Sequence, residues 1–244
     1  MITLEKLSVS IEEKKILHDI SFTFKPGKTY AIMGPNGSGK STLASSIMGH
    51  PSIAYSRASK IFIEEKPARR RRDIKTLSPD KRSLLGLFLS FQTPMTLSGV
   101  TVFELLRLAL EKKMDPVALH QKVTEYAKEL SIKDELLKRS LNDGFSGGEK
   151  KKLEALQAVL LSPSFALFDE IDTGVDVDSL KTISHFLKKH LAKKTTLVFI
   201  THSTRLLSYI KPDEVIVIKE GRLVKTGTGT LAKKIEEKGF ESII

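Results

Sequence analysis

Apolar and polar residues alternate from Ile2 to Ile11 (Ile2, Leu4, Leu7, Val9, Ile11), with one irregularity, and this period of two predicts a half-buried strand. Ile20–Phe24 alternates likewise, Pro26-Gly27 marks a turn, and Tyr30-Ala-Ile-Met33 reads as a short apolar strand. The run Gly34–Gly39 then feeds a helix expected over Ser41–Met48. A strand at Ile61–Ile63 leads into a basic loop, followed by an apolar run from Leu84 to Phe91. Between Val102 and Arg139 the pattern becomes helical, with Phe103, Leu106 and Leu110 on one face and Val123, Ala127 and Leu130 on another. Asp115-Pro116 reads as a helix start, the aspartate as cap and the proline in the first turn. Beyond Ser146 come a helix near Glu149–Leu161, a buried strand at Phe165–Phe168, a helix near Val177–Leu191 and a strand at Thr196–Ile200. A β-rich start, a helical insert and a return to alternating α and β describe one core with a subdomain let into it.

Composition narrows the function classes. With 40% hydrophobic and 28% charged residues in 244, the chain reads as globular and soluble. No apolar stretch approaches the roughly 20 residues of a membrane helix. The absence of cysteine excludes disulfides, zinc knuckles, thiol catalysis and cysteine-held iron–sulfur clusters, and a cytoplasmic location is expected. A net charge of +11 suits either an anionic partner or a lysine-rich solvated surface. Arg69–Arg72 has no aromatic neighbour to stack a base, so it reads as a solvated loop.

The candidate chemistry begins at Gly34-Pro35-Asn36-Gly37-Ser38-Gly39-Lys40-Ser41, which fits G-x-x-x-x-G-K-[ST] without departure and continues into Thr42. Glycines let a tight loop turn its N–H groups inward around phosphate oxygens. Lys40 is expected on the β- and γ-phosphates and Ser41 on Mg²⁺, with the following helix offering its positive end. Phe165-Ala-Leu-Phe-Asp169-Glu170 supplies the acidic counterpart: Asp169 for the Mg²⁺ shell and Glu170 as general base for an attacking water. Apolar strands ending in Asp-Glu are common, and the string gains meaning only beside the phosphate loop. His202, at the end of the Thr196–Ile200 strand, is placed to sense a γ-phosphate, and Gln92 to reach Mg²⁺ or the lytic water. Each alone would be an ordinary surface residue.

Phe145-Ser146-Gly147-Gly148-Glu149 resembles the signature of the ATP-binding cassette (ABC) family, usually L-S-G-G-Q, and that family's landmarks occur here in order: phosphate loop, Gln92, signature, Asp169-Glu170, Asp176 and His202. The resemblance implies an α/β P-loop NTPase fold, an ABC nucleotide-binding domain with an antiparallel β subdomain and an inserted α-helical subdomain. Residues 1–92 and 146–244 would form the catalytic core with its β subdomain, and 93–145 the helical insert. It also implies hydrolysis of ATP with Mg²⁺ between two copies packed head to tail. Ser146, Gly147 and Gly148 of one copy, with Asp176, would close over ATP held by the other. Where many members place an adenine-stacking aromatic after the first strand, this chain has Ile11.

Within the family, Phe145–Lys151, Asp169–Lys181, Phe91–Pro94, Ser98–Val100, Tyr209–Asp213 and the tail Leu231–Phe240 resemble the SufC branch, the ATPases of the SUF iron–sulfur cluster assembly machinery. That implies scaffold partners of the SufB and SufD type, ATP-dependent homodimerisation and no membrane insertion. Thr93, Ser203 and Thr173-Gly-Val175 depart from the branch's usual residues, but none removes a phosphate- or metal-contacting group. The departures bear on scaffold contacts instead. The energising subunit of a membrane transporter is the rival expectation. A nucleic-acid-associated cassette is a third, against which the chain has one cassette, no coiled-coil spacer and no zinc site.

Overall fold

A computed structural model describes residues 1–65, 70–92, 94–191 and 195–242. The chain starts with β1 (Ile2–Ile11) and β2 (Lys14–Phe24), an antiparallel hairpin in register from Ile2↔Phe24 to Ile11↔Lys14. Its turn is Glu12-Glu13, both at positive φ (47° and 66°), the twist that a two-residue hairpin needs. β3 (Thr29–Met33) is buried throughout and feeds the glycine loop and α1 (Lys40–Met48). β4 (Ala54–Tyr55), β5 (Lys60–Glu65) and β6 (Arg70–Asp73) extend the first sheet, and α2 (Pro79–Leu84) precedes β7 (Leu87–Ser90). Then come β8 (Leu97–Thr101), α3 (Val102–Leu110), α4 (Pro116–Glu129), α5 (Asp134–Lys138) and β9 (Ser140–Leu141). The chain returns through α6 (Gly147–Leu161), β10 (Phe165–Asp169), α7 (Val177–His190), β11 (Thr196–Ile200), α8 (Thr204–Tyr209), β12 (Glu214–Lys219), β13 (Arg222–Gly227) and α9 (Gly229–Lys238).

Two sheets organise these elements. The first is antiparallel, ordered β2-β1-β5-β6 with β4 on β1; the second runs β13-β12-β3-β11-β10-β7 and is parallel except at β13. β3, β10 and β11 are buried on both faces, as strands covered by other layers must be, and are apolar except for Thr29, Asp169 and Thr196 at their ends. Leu4, Leu7, Ile61, Tyr30, Ile32, Leu43, Ile47, Phe165 and Val198 form one core between the sheets and α1. A second core unites the inserted helices (Leu106, Leu119, Val123) with α6, α7 and the opposite face of the parallel sheet (Leu156, Leu180, Phe168, Phe199). Asp115 caps α4, its carboxylate accepting from Val117 N and Ala118 N at 3.0 Å each. This is the α/β cassette architecture expected from the sequence, with its antiparallel β sheet and its helical insert.

One expectation is corrected. Arg70–Arg72 forms not a loop but the edge strand β6, paired with β5 (Ile63↔Arg72, Glu64↔Arg71). The Arg71 guanidinium lies 3.7 Å over the Phe62 ring and pairs with Glu5. Charge along an exposed edge discourages pairing with another chain, which gives the run a structural use. Arg69 and Thr93 lie outside the described residues.

Candidate functional site

The parallel sheet delivers its strand ends to one place. β3, β7, β10 and β11 run in the same direction, so the segments after them (the glycine loop, Gln92, Glu170 and His202) emerge together, where ligands of open α/β sheets bind. They line a cavity of about 610 Å³ with Ile16, Asn36, Gly37, Gly39, Lys40, Ser41 and Thr42.

The loop's glycines are dictated by its contacts. Gly34 has φ 156°, and a Cβ there would stand 2.1 Å from Ile218 O. Gly39 has φ 102°, and a Cβ would meet Leu17 Cδ2 at 2.7 Å. Gly39 is also the N-cap of α1 and offers no side-chain cap, so the first N–H groups of the helix lack a side-chain acceptor. The buried Lys40 donates from Nζ to Gly34 O (2.9 Å) and Pro35 O (2.8 Å). Burial pushes its pKa down, while Glu170 and Asp169 pull it back up. Ser38 is buried with an unpartnered Oγ, and its N–H donates to Pro35 O.

Asp169 ends β10, buried, and its Oδ1 has no hydrogen-bond partner. Burial pushes its carboxyl above the ordinary aspartate range, against the hydroxyl of Ser41. A hydroxyl beside an orphaned carboxylate oxygen is a hard-oxygen donor set, which fits a divalent cation such as Mg²⁺. Glu170 follows with φ 52°, held by its own N–H to Ile200 O (2.9 Å). Its Oε2 accepts from Gln92 Nε2 (2.7 Å) and Thr173 Oγ1 (3.3 Å), and its Oε1 lies 3.4 Å from His202 Nε2. Burial, and then the nearby Lys40, push the His202 pKa below its usual value, against the pull of Glu170 and Asp172. Gln92, Glu170 and His202 thus form one cluster.

Other expected residues lie elsewhere. Ile11 does not line the cavity. Ile16 on β2 does, because the hairpin turn at Glu12-Glu13 carries the chain back so that the second strand faces the loop. Ser146, Gly147, Gly148 and Asp176 also lie outside it, forming a second surface. Ser146 caps α6 in a box with Glu149, whose Oε2 accepts from Ser146 N (2.8 Å) and Oγ (2.9 Å). Asp176 caps α7, accepting from Ser179 N (2.8 Å), and a Cβ on Gly147 would stand 3.0 Å from Gly174 O. Signature and Asp176 loop are therefore neighbours.

Sequence reasoning missed Asp172. Its Oδ2 accepts from Thr201 Oγ1 (2.8 Å), which itself accepts from Ser203 N (2.8 Å), so the turn carrying His202 is tied to the segment after Glu170. Burial raises the Asp172 pKa, and its Oδ1 is unpartnered. The only sequence signal was a carboxylate two residues after Glu170.

Comparison with known proteins agrees with the fold. The ABC transporter family matches residues 17–173. A probable ATP-dependent transporter, ycf16, of Antithamnion sp. is 38% identical over 249 residues, covering 99% of this chain and 96% of that one. Vegetative protein 296 of Bacillus subtilis (strain 168) is 40% identical over 248 residues, covering 99% and 92%. A probable ABC transporter ATP-binding protein of Streptococcus pyogenes serotype M1 is 41% identical over 249 residues, covering 100% and 94%. Among solved structures, a nucleotide-free ATP-binding cassette from an ABC transporter superposes with TM-score 0.76 at 24% identity over 100% of this chain and 97% of that one. A dimeric post-hydrolysis cassette bound to ADP and Pi gives 0.78 at 20% identity over 94% and 99%.

Proposed function

Since the chain belongs to the ABC transporter family of ATP-binding cassette ATPases, we propose that it hydrolyses ATP at a composite site between two copies and thereby drives conformational change in an iron–sulfur cluster assembly scaffold of the SufB/SufD type. The observation that carries the catalytic half is the convergence of the glycine loop, Gln92, Glu170 and His202 on one cavity beside Asp169. The scaffold half is supported by the likeness to SufC ATPases of the strings after Glu170 and at Tyr209–Asp213 and Leu231–Phe240.

The roles follow from the atoms. Loop N–H groups and the start of α1 take the phosphates, and Lys40 supplies positive charge. Ser41, Asp169 and Gln92 would hold Mg²⁺, which when bound neutralises charge on the β- and γ-phosphates. Water attacks the γ-phosphorus in line. Its proton passes to Glu170, the bond from γ-phosphorus to the bridging oxygen breaks, and ADP leaves with that electron pair. Gln92 and His202 fix the Glu170 carboxylate, and Ile16 offers an aliphatic face to the base. In a head-to-tail pair, Ser146, Gly147 and Gly148 bring the start of α6 onto the partner's γ-phosphate, with Asp176 beside them.

Several relatives are named as ATP-dependent transporters or ABC transporter ATP-binding proteins, which favours a second reading as the energising subunit of a membrane transporter. Affinity capture of the chain from its native cell separates the two. Recovery of a soluble scaffold and a cysteine desulfurase supports the first, and recovery of an integral membrane permease replaces it with the second.

A further inference from the structure

Lys151 and Glu154 lie in the first half of α6, outside the lining of the phosphate cavity but within electrostatic reach of Asp169. Their side chains are 4% and 8% exposed, and Lys151 Nζ stands 3.0 Å from Glu154 Oε2. Two opposite charges removed from water gain little from their attraction alone; such pairs persist when further hydrogen bonds satisfy them. Here those bonds all go to one short piece of backbone. Phe91 N–H donates to Glu154 Oε1 (3.0 Å), and Lys151 Nζ donates to Phe91 O (2.8 Å) and Gln92 O (3.3 Å). The β7 ladder ends at Ser90, and the Phe91 ring is 52% exposed, so neither sheet pairing nor side-chain burial fixes this segment. Burial pushes the Glu154 carboxyl above its ordinary range, against the pull of Lys151 and the Phe91 N–H. The next contact in the chain is Gln92 Nε2 to Glu170 Oε2 at 2.7 Å.

We propose that Lys151 and Glu154 are positioning residues for hydrolysis: the pair clamps the Phe91–Gln92 backbone from α6 so that the Gln92 amide aims the Glu170 carboxylate. The inference rests on Glu170 as the base. It also connects the helix that begins at Ser146 to the hydrolytic cluster of the same chain. Without the clamp, Gln92 is free to wander, ATP still binds the glycine loop, and the chemical step slows.

The test is Lys151→Met/Glu154→Leu, which replaces the buried pair by apolar groups of similar size, a change folds often tolerate. Its kcat is expected to fall by about tenfold or more, in line with the sensitivity of rates to small displacements of positioned groups. The Kd for a fluorescent ATP analogue should stay within about twofold. Adding Gln92→Ala should lower kcat little further, because both changes act through the same amide. A folded double variant with parental kcat, or a Gln92→Ala effect that multiplies in full, overturns the proposal. If the double variant does not fold, Lys151→Gln/Glu154→Gln, which removes both charges together and leaves no lone buried charge, is combined with Gln92→Ala and judged by the same two criteria. Failure of the underlying reading is distinguishable: Glu170→Gln would then keep its turnover, whereas failure of the clamp leaves Glu170→Gln inactive and the double variant fully active.

Discussion

Asp169 costs the fold stability at neutral pH. Its carboxyl is buried, and burial holds its pKa above the model-compound value of 3.8. A carboxyl that binds its proton more tightly folded than unfolded withdraws stability as pH rises from the unfolded value through the raised folded one. Asp169→Asn removes that ionisation. Without nucleotide the variant should therefore melt above the parent at pH 7, with the difference shrinking as pH falls toward about 4. It should gain no thermal shift from Mg²⁺ and ATP. A variant that melts below the parent at neutral pH contradicts this account of the group. Ile16 gives a second expectation at this scale. An aliphatic platform buries a base face but forgoes the roughly 1–3 kcal/mol of aromatic stacking. Competition titrations should then show a preference for ATP over GTP below about 100-fold, roughly 2.7 kcal/mol.

Among the elements, those that bear the site were readable because their burial is two-sided. Tyr30–Met33, Phe165–Phe168 and Leu197–Ile200 are unbroken apolar runs, and each lies in a central strand of the parallel sheet. The G-x-x-x-x-G-K-S string likewise fixes its own loop. What stayed hidden depended on partners distant in sequence. β2 begins at Lys14, earlier than Ile20, because the hairpin turns on Glu12-Glu13, a pair without the glycine or asparagine that marks such turns. That Ile16 and not Ile11 lines the cavity follows from that, since Ile16 lies in the part of β2 the alternation did not reveal. Arg70–Arg72 is a strand only because β5 offers it an edge, and β12 and β13 were not read at all. Asp172 belongs here too, as the tie between the segments leaving β10 and β11. Asp172→Ala should loosen the turn at Thr201–Ser203 and lower kcat by about tenfold, since a misplacement near 1 Å is enough for such losses. ATP affinity should hold within about twofold. Unchanged kcat, measured with hydrogen exchange at those amides, would show that the turn holds itself.

For the whole molecule, the arrangement of surfaces matters most. Phosphate loop, Glu170, Gln92 and His202 sit at one cavity, with Asp169 buried against Ser41, while Ser146, Gly147, Gly148 and Asp176 form a separate surface of the same chain. Ser146 and the start of α6 do not line this chain's own cavity. In the proposed head-to-tail pair, a second copy would bring the two surfaces together twice. ATP would then bridge the copies, and its hydrolysis would release them, which on this proposal is how cleavage would become movement of whatever the copies carry. General-base removal should stop the cycle at the bridged stage, slowing turnover by about 10²–10⁴-fold. The direct measurement is the molar mass of Glu170→Gln by size-exclusion chromatography with light scattering, with and without ATP and Mg²⁺. The account predicts the 27.2 kDa chain alone without nucleotide and a species of about twice that mass with ATP, lost again on substitution of Ser146→Arg. A variant that binds ATP fully yet keeps the mass of a single chain at all concentrations contradicts it.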